Sequence, residues 1–524
     1  MALSLSVPVS TTSLPKEVET NPKKARLWVE SLPLTKTVES ANSLIYALES
    51  INRGKMGVDE RIALVEIYRP VISVLLEELE AIYAYSPLPL PAKQLSAFEL
   101  SQRILVECGY AYKILVLEKT GKMIVFNAKK NLPLPIFRTL FFLRELMLQC
   151  YKTYHPVPAG VWHEAHTLYL YAEQQGLLAD GDSVEKISIL DIYVEMLMLA
   201  LADPYRLMYK EIERALSVLG QNRGFVDVLN NKDGVNPQRM FVIALDGDQA
   251  PKILIQGNDP PPGQILRLAD PTRLAERLSQ KLKSAGNANA AKSRATHDLS
   301  DLMARLIRLW GDPPKRQFRR NPAGSGVALC SGVKAIAYFA ELATNENPEA
   351  DAEAIREGRT VPLLKIPRDP MSQMIGVEEW QVLNQSANGV RLHRESGGNV
   401  GVTVGEAVGV RFVGGRSWNV GVVRWLTLLE GNALEFGVEL ISPAAHSITI
   451  EPTMGSSGIK PMPALLIVPG SDDTAEADTI LSTVEIFSDL REFELNDHGE
   501  ISLVRAMTLI ERTSRFDLFQ FQPS

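Results

Sequence analysis

From Trp380 onward the chain is a succession of short β-like runs, WQVLN, GVRLHR, VGVRFVG, WNVGVVRWLTLL and LEFGVELIS, punctuated by glycine and spaced roughly ten residues apart. This rhythm constrains the fold more than any other feature. Connections this short join antiparallel neighbours, and a small antiparallel set removes its open edges by closing into a barrel. Upstream, GVALC and VKAIAYF give the first strand signals of the set. Downstream, ALLIVPG, ILSTVEIF, ISLVRAMTLIE and FDLFQF repeat the theme and read as extra strands or a second β unit. The acidic loop region between Asp472 and Glu500 reads as a solvated face.

The first 220 residues follow a different period. Apolar residues at Leu207, Met208, Ile212, Ala215, Leu216 and Leu219 line one face of a helix, with Gly220 as its stop. Asp203 and Pro204 supply a helix start there, as Asp270 and Pro271 do further on. Ser96 and Glu99 have the spacing of a capping box. PIFRTLFFLRELMLQCYKTY and VWHEAHTLYLYAEQQGLL add two more helices, and SPLPLP and NLPLP break the run. The expected class is multidomain α+β. A flexible tail (1–22) precedes a helical-hairpin domain (23–222) and a small α/β module (223–284). A low-complexity linker (285–297) leads to an antiparallel barrel (298–459), interrupted by an acidic insertion at about 341–375, and a C-terminal β extension (460–524) ends the chain.

The chain has 524 residues, 45% apolar and 22% charged, with a net charge of −7. An acidic balance argues against nucleic-acid or membrane-surface binding by the whole chain, so any anion site must be local. Cys108, Cys150 and Cys330 are far apart and read as reduced thiols of a cytoplasmic protein. The N-terminus lacks the pattern of a signal peptide, and ISILDIYVEMLMLALA is too short and too charged to span a bilayer.

Two local motifs stand out. PPKRQFRRNPAG sets Arg316 and Arg320 in an R-x-x-x-R pair, with Lys315 and Arg319 beside them. LNQSANG supplies Asn384, Ser386 and Gly389 as N-x-S-x-x-G at the end of a β-like run. In an extended segment Arg316 and Arg320 share one side. Guanidinium can grip the O6/N7 edge of guanine, stack on a base and bond phosphate. An Asn amide offers a donor and an acceptor, and a Ser hydroxyl adds one more group.

Together, in this order and ahead of a barrel pattern, the two motifs resemble the PilZ domain, the bacterial receptor module for cyclic di-GMP. GVVRWL and FGVELI fit its later strands. The resemblance covers about 310–445 and implies an antiparallel barrel that binds cyclic di-GMP through Arg316, Arg320, Asn384, Ser386 and Gly389. Arg319, Arg391, His393 and Arg424 are secondary candidates. One departure from the family is the long separation of the motifs, with residues 321–383 intervening. The resemblance further implies a signalling effector with no cofactor beyond the ligand, its helical half contacting a protein partner. The competing reading is an adaptor with a degenerate barrel that works by protein contacts alone.

Read alone, the basic cluster is a solvated loop and LNQSANG a hairpin turn. Nucleic-acid binding through KRQFRR is a weaker alternative. His163 and His166 in WHEAH lack a third metal ligand, and DGDQ at 246–249 reads as a turn. With no P-loop, nucleophile elbow or nucleophile–base pattern, no enzymatic activity is expected.

Overall fold

The apolar periodicity of the first part builds a stack of helices: α1 (Pro22–Glu30), α2 (Thr37–Arg53), α3 (Val58–Tyr83), α4 (Ala92–Gly121), α5 (Pro133–Lys152), α6 (Val161–Gln175), α7 (Ile189–Leu201) and α8 (Tyr209–Gly220). A small two-stranded ladder, β1 (Gly181–Asp182) with β2 (Ile187–Ser188), interrupts them. The structure is a computed structural model. It describes all residues except 1–2, 11–12, 122–131, 231–239, 255–262, 288–293, 312–320, 323, 345–374, 396–397, 399, 416, 454–460 and 468–477. The chain divides into two units, Met1–Ser86 with Leu90–Lys315, and Pro87–Pro89 with Arg316–Ser524.

In the first unit, α4 packs against α2, α3 and α5, as stacked hairpins require. Several charges buried among the helices are paired, Lys113 with Glu164, Arg138 with Asp182, and Arg144 with Glu195, while Arg61 donates to the Ile51 and Gly54 carbonyls. Two helix starts differ from the sequence expectation. Helix α4 begins at Ala92, so Ser96 lies one turn inside it. Asp203 and Pro204 open only a short 3-10 turn, and α8 starts at Tyr209 with Glu211 accepting from the Met208 amide. Ala92, Lys93 and Gln94, good helix formers directly after Pro91, start α4 a turn earlier, and at α8 the Glu211 cap takes the place of Asp203.

The α/β module forms a four-stranded antiparallel sheet in the order β3 (Asp227–Leu229), β6 (Leu266–Asp270), β4 (Phe241–Ala244), β5 (Lys252–Ile253). Helix α9 (Thr272–Asn287) follows, and Asp270 accepts from the Thr272 amide at 2.9 Å as the Asp-Pro start requires. Helix α10 (Arg294–Gly311) buries Leu302, Leu306 and Trp310 in the same core as α1–α8, and the Trp310 indole donates to the Met198 carbonyl at 3.2 Å. Residues 298–311, placed by sequence with the barrel, therefore pack in the first unit; their apolar face finds its partners there. Of the 285–297 linker, 285–287 end α9 and 294–297 begin α10, while 288–293 lie outside the described residues, as does most of the 341–375 insertion. Among the described residues, no helix is long and apolar enough to cross a membrane.

The second unit holds two closed barrels. The first comprises β8 (Gly326–Ser331), β9 (Glu378–Ser386), β10 (Gly389–Arg394), β11 (Ala407–Phe412), β12 (Asn419–Leu428) and β13 (Leu434–Ser442). Its ring runs β8–β9–β10–β13–β12–β11 and back to β8, antiparallel throughout. Alternation sends Trp380, Val382, Val390, Leu392, Leu426, Phe436 and Val438 inward, all buried. A short strand β7 (Asn321–Pro322) precedes β8 and pairs with the far end of β9.

VKAIAYF, expected as a strand, is helix α11 (Val333–Thr344). Its Val333, Ile336, Ala337 and Phe339 pack with Cys330, Trp418 and Val422 of the first barrel and Leu465, Leu481 and Phe516 of the next unit of sheet. A continuous short apolar run cannot by itself separate a buried strand from a buried helix. The C-terminal strands are not loose additions. β14 (His446–Pro452), β15 (Met462–Ile467), β16 (Thr479–Thr483), β17 (Glu492–Asp497), β18 (Glu500–Arg512) and β19 (Phe516–Pro523) close into a second barrel, which therefore begins before residue 460.

Candidate binding face on the first barrel

The hairpin β9–β10 builds the site. Ser386, Ala387, Asn388 and Gly389 form its turn, and Ser386 Oγ donates to the Gly389 carbonyl at 3.3 Å. Gly389 is needed for close approach: a Cβ there would lie 3.1 Å from the Val438 carbonyl oxygen and 3.4 Å from Ser386 Oγ. A bulge at Leu383 resets the register, so that Arg391 pairs with Asn384 while Leu392 pairs with Val382. Cross-strand partners share a face. Asn384, Ser386, Gly389, Arg391 and His393 consequently lie along one outward face, and Gly437 of β13 sits opposite Arg391. Among the described residues the Asn384 side chain has no hydrogen-bond partner.

Arg316, Arg319 and Arg320 lie outside the described residues. The chain that follows them does not. Asn321, the next residue after Arg320, pairs with Gln385, and Pro322 pairs with Asn384. The second strand edge of β9 thus receives the segment leaving the arginine motif, at the very residues of the Asn motif. The long separation in sequence is thus cancelled by the antiparallel pairing of β7 with β9.

The secondary candidates separate. Arg391 donates through Nε to Glu435 at 3.1 Å and through a second nitrogen to the same carboxylate oxygen. His393 Nδ1 stands 3.6 Å from the other Glu435 oxygen. Both belong to the face, where Glu435 is the counter-charge of Arg391. Arg424 does not join them. The ladder shifts between Val423 and Trp425, and Arg424 at the shift forks onto Glu511 of the second barrel, with Nε 2.6 Å from Glu439. Burial opposes the Arg424 charge, but Glu511 and Glu439 outweigh it and hold its pKa above the ordinary arginine value.

Trp425 is the residue that sequence reasoning undervalued. Its indole is half-buried on the outside of the barrel, over Gly437, and the Arg391 guanidinium lies 5.7 Å from its ring. A Cβ at Gly437 would come within 2.7 Å of Trp425 Cδ1 and Cε2, and closer still to Nε1. The signal in the sequence was a glycine facing a tryptophan on the next strand, which needs the register to be read.

The other sequence candidates have structural employment. Both ring nitrogens of His166 are used, by the Tyr193 hydroxyl at 2.8 Å and the Gln249 carbonyl at 3.0 Å. Asp248 of DGDQ accepts from the Gly160 and His163 amides at 2.6 and 2.9 Å, capping α6. Burial pushes its pKa up, but those amides outweigh it and hold the carboxyl below its ordinary value.

The family model described as the N-terminal domain of the cyclic-di-GMP receptor FimW matches residues 23–232. The model described as the middle PilZ domain of that receptor matches residues 240–351 and 368–447. The cyclic-di-GMP receptor FimW of Pseudomonas aeruginosa PAO1 is 24% identical over 552 aligned positions, covering 95% of this chain and 90% of its own. No solved structure matches.

Proposed function

The chain carries a PilZ-family domain, and from that premise we propose that it is a receptor for cyclic di-GMP, with the outer face of β9, β10 and β13 as its binding surface. The observation that carries this reading is the pairing of Asn321 and Pro322 with Gln385 and Asn384. It puts the exit of the R-x-x-x-R segment against the N-x-S-x-x-G strand, so guanidinium forks and the Asn384 carboxamide can address one ligand. The ligand's two guanines offer O6/N7 edges to arginine, and its phosphates take charge-assisted hydrogen bonds. Arg316 and Arg320 are assigned to the ligand, with Asn384 and Ser386 contributing polar groups and Gly389 allowing close approach. Arg319 adds positive potential beside them, Arg391 and His393 lie on the same face against Glu435, and Arg424 serves the contact between barrels.

The protein acts as a cytoplasmic signalling receptor and not an enzyme, and it needs no cofactor besides its ligand. The helical first unit, similar to the N-terminal domain of the Pseudomonas receptor, passes the ligand signal to a protein partner.

Calorimetric titration of the full chain with cyclic di-GMP tests the reading. Micromolar or tighter binding is expected. Arg316→Ala and Arg320→Ala should abolish it, and Asn384→Ala should weaken it about tenfold, the equivalent of one good polar contact. No heat from the native chain at high ligand concentration would overturn the receptor reading and leave the adaptor.

A further inference from the structure

We propose that His446, Asp497 and His498 form a binding site for a divalent transition metal ion, Zn2+ by the chemistry of its ligands, at one end of the second barrel. Among the described residues this is the one group of three or more His, Cys, Asp or Glu side chains whose ligating atoms converge, all within 4.8 Å of one another. His446 opens β14, Asp497 closes β17, and His498 sits in the turn to β18. His446 Nε2 is 2.9 Å from Asp497 Oδ1, and the two imidazole rings are 5.7 Å apart at 86°. The chain has only seven histidines, and folding brings two of them together from either end of the barrel's first four strands.

The donor set fits the ion. Two imidazoles and a carboxylate form a common zinc ligand set, leaving a fourth position for water or another donor. Bonds of about 2.0–2.1 Å in a tetrahedron put ligand atoms about 3.3 Å apart, so the widest pair must close by about 1.5 Å. Rotation of the exposed His498 side chain supplies that movement. The side chains of His446 and Asp497 are 43% and 35% exposed, so solvent and ions reach them.

The backbone gives a second, independent indication. His498 has φ +48° and Gly499 φ +103°, two consecutive left-handed residues closing a two-residue hairpin. Asn-Gly or Gly-Gly is the easy choice for such a turn. Asn496 Oδ1 accepts from the Gly499 amide at 2.8 Å, which fixes the turn independently of residue 498. A histidine there carries a conformational cost that its side chain must justify, and that side chain stands beside His446.

The site also has a mechanical rationale. The β14–β17 ladder runs from Pro452↔Phe493 to Thr449↔Asn496 and ends there. His446 and the 497–499 turn lie beyond the last pair, so a shared ion would tie the hairpin tip to β14 where hydrogen bonding stops. The site lies on a different barrel from the proposed nucleotide face, and neither depends on the other.

The test is titration of the chelator-treated full chain with ZnCl2, followed by calorimetry and thermal melting. One Zn2+ per chain is expected, with affinity falling by about tenfold or more in His446→Ala and in His498→Ala. His163→Ala, an exposed histidine of the first unit, should bind as the native chain does. Co2+ should give the intense visible absorption of a tetrahedral site, lost in the same two variants. His498→Gly should melt no lower than the native chain in chelator yet lose the Zn2+-dependent rise in melting temperature. Absence of stoichiometric Zn2+ binding, or binding unchanged in both His446→Ala and His498→Ala, overturns the proposal.

Discussion

Gly437→Ala places a methyl group where the Trp425 indole now lies. The new Cβ would be 2.7 Å from Cδ1 and Cε2, whereas ordinary contact begins near 3.4 Å. Gly437 is in mid-strand with ladder partners on both sides, Arg391 and Trp425, so the backbone has little freedom to yield. The indole must move instead. Overpacking of this kind costs about 1–3 kcal/mol, and losing the Arg391–Trp425 contact adds about 0.5–1 kcal/mol. We expect a destabilisation of about 2–3 kcal/mol in guanidinium unfolding, together with weaker cyclic di-GMP binding, because Arg391 loses the ring that supports it. The diagnostic is the double variant. With Trp425→Ala in place the clash has no partner, so Gly437→Ala should then cost less than about 0.5 kcal/mol, a coupling well beyond ordinary additivity. Equal cost in both backgrounds would refute the account of the face.

Three further outcomes follow from buried groups. Asp517 is fully buried, accepts from the Ile486 and Phe487 amides at 3.1 and 3.0 Å, and pairs with Arg512 at 2.7 and 3.1 Å. Asp517→Asn should cost about 3–5 kcal/mol in denaturant unfolding by stranding Arg512, and an apolar pair, Asp517→Leu with Arg512→Met, should not recover it, because the Ile486 and Phe487 amides then lose their acceptor. Burial pushes the His155 imidazole down to about 4, against the hydrogen bond at Thr153. The unfolded chain then binds the extra proton first, so stability is full above the ordinary pKa of 6.5 and is lost as pH falls towards 4, by about 3 kcal/mol. Urea midpoints between pH 7 and pH 4.5 should fall less steeply in His155→Gln. Cys108, Cys150 and Cys330 are buried, and burial pushes their thiols well up, Cys150 to about 12. A thiol-exchange reagent should therefore find none of them in the folded chain and all three after denaturation; fast labelling of native protein would contradict this.

The sequence by itself determined the element types where period and length were unambiguous. Helices α5 and α6, the hairpin β9–β10 and the strands β12 and β13 follow directly from apolar spacing and glycine punctuation, because each depends on neighbours a few residues away. It also grouped Asn384, Ser386 and Gly389 at one hairpin, for the same reason. What needed the tertiary structure was everything set by contacts distant in the chain. VKAIAYF became a helix because it fills the space between two barrels, and α10 went to the first unit with its apolar face. Arg391, His393 and Arg424 looked equivalent in the sequence; a bulge and cross-strand register left the first two on the face and gave the third to Glu511. The same physics brought His446 to Asp497 and His498, and returned the segment after Arg320 to Asn384. A ladder hydrogen bond is indifferent to how much chain lies between its two ends, so no spacing rule could have shown that the strand after Arg320 pairs at Asn384.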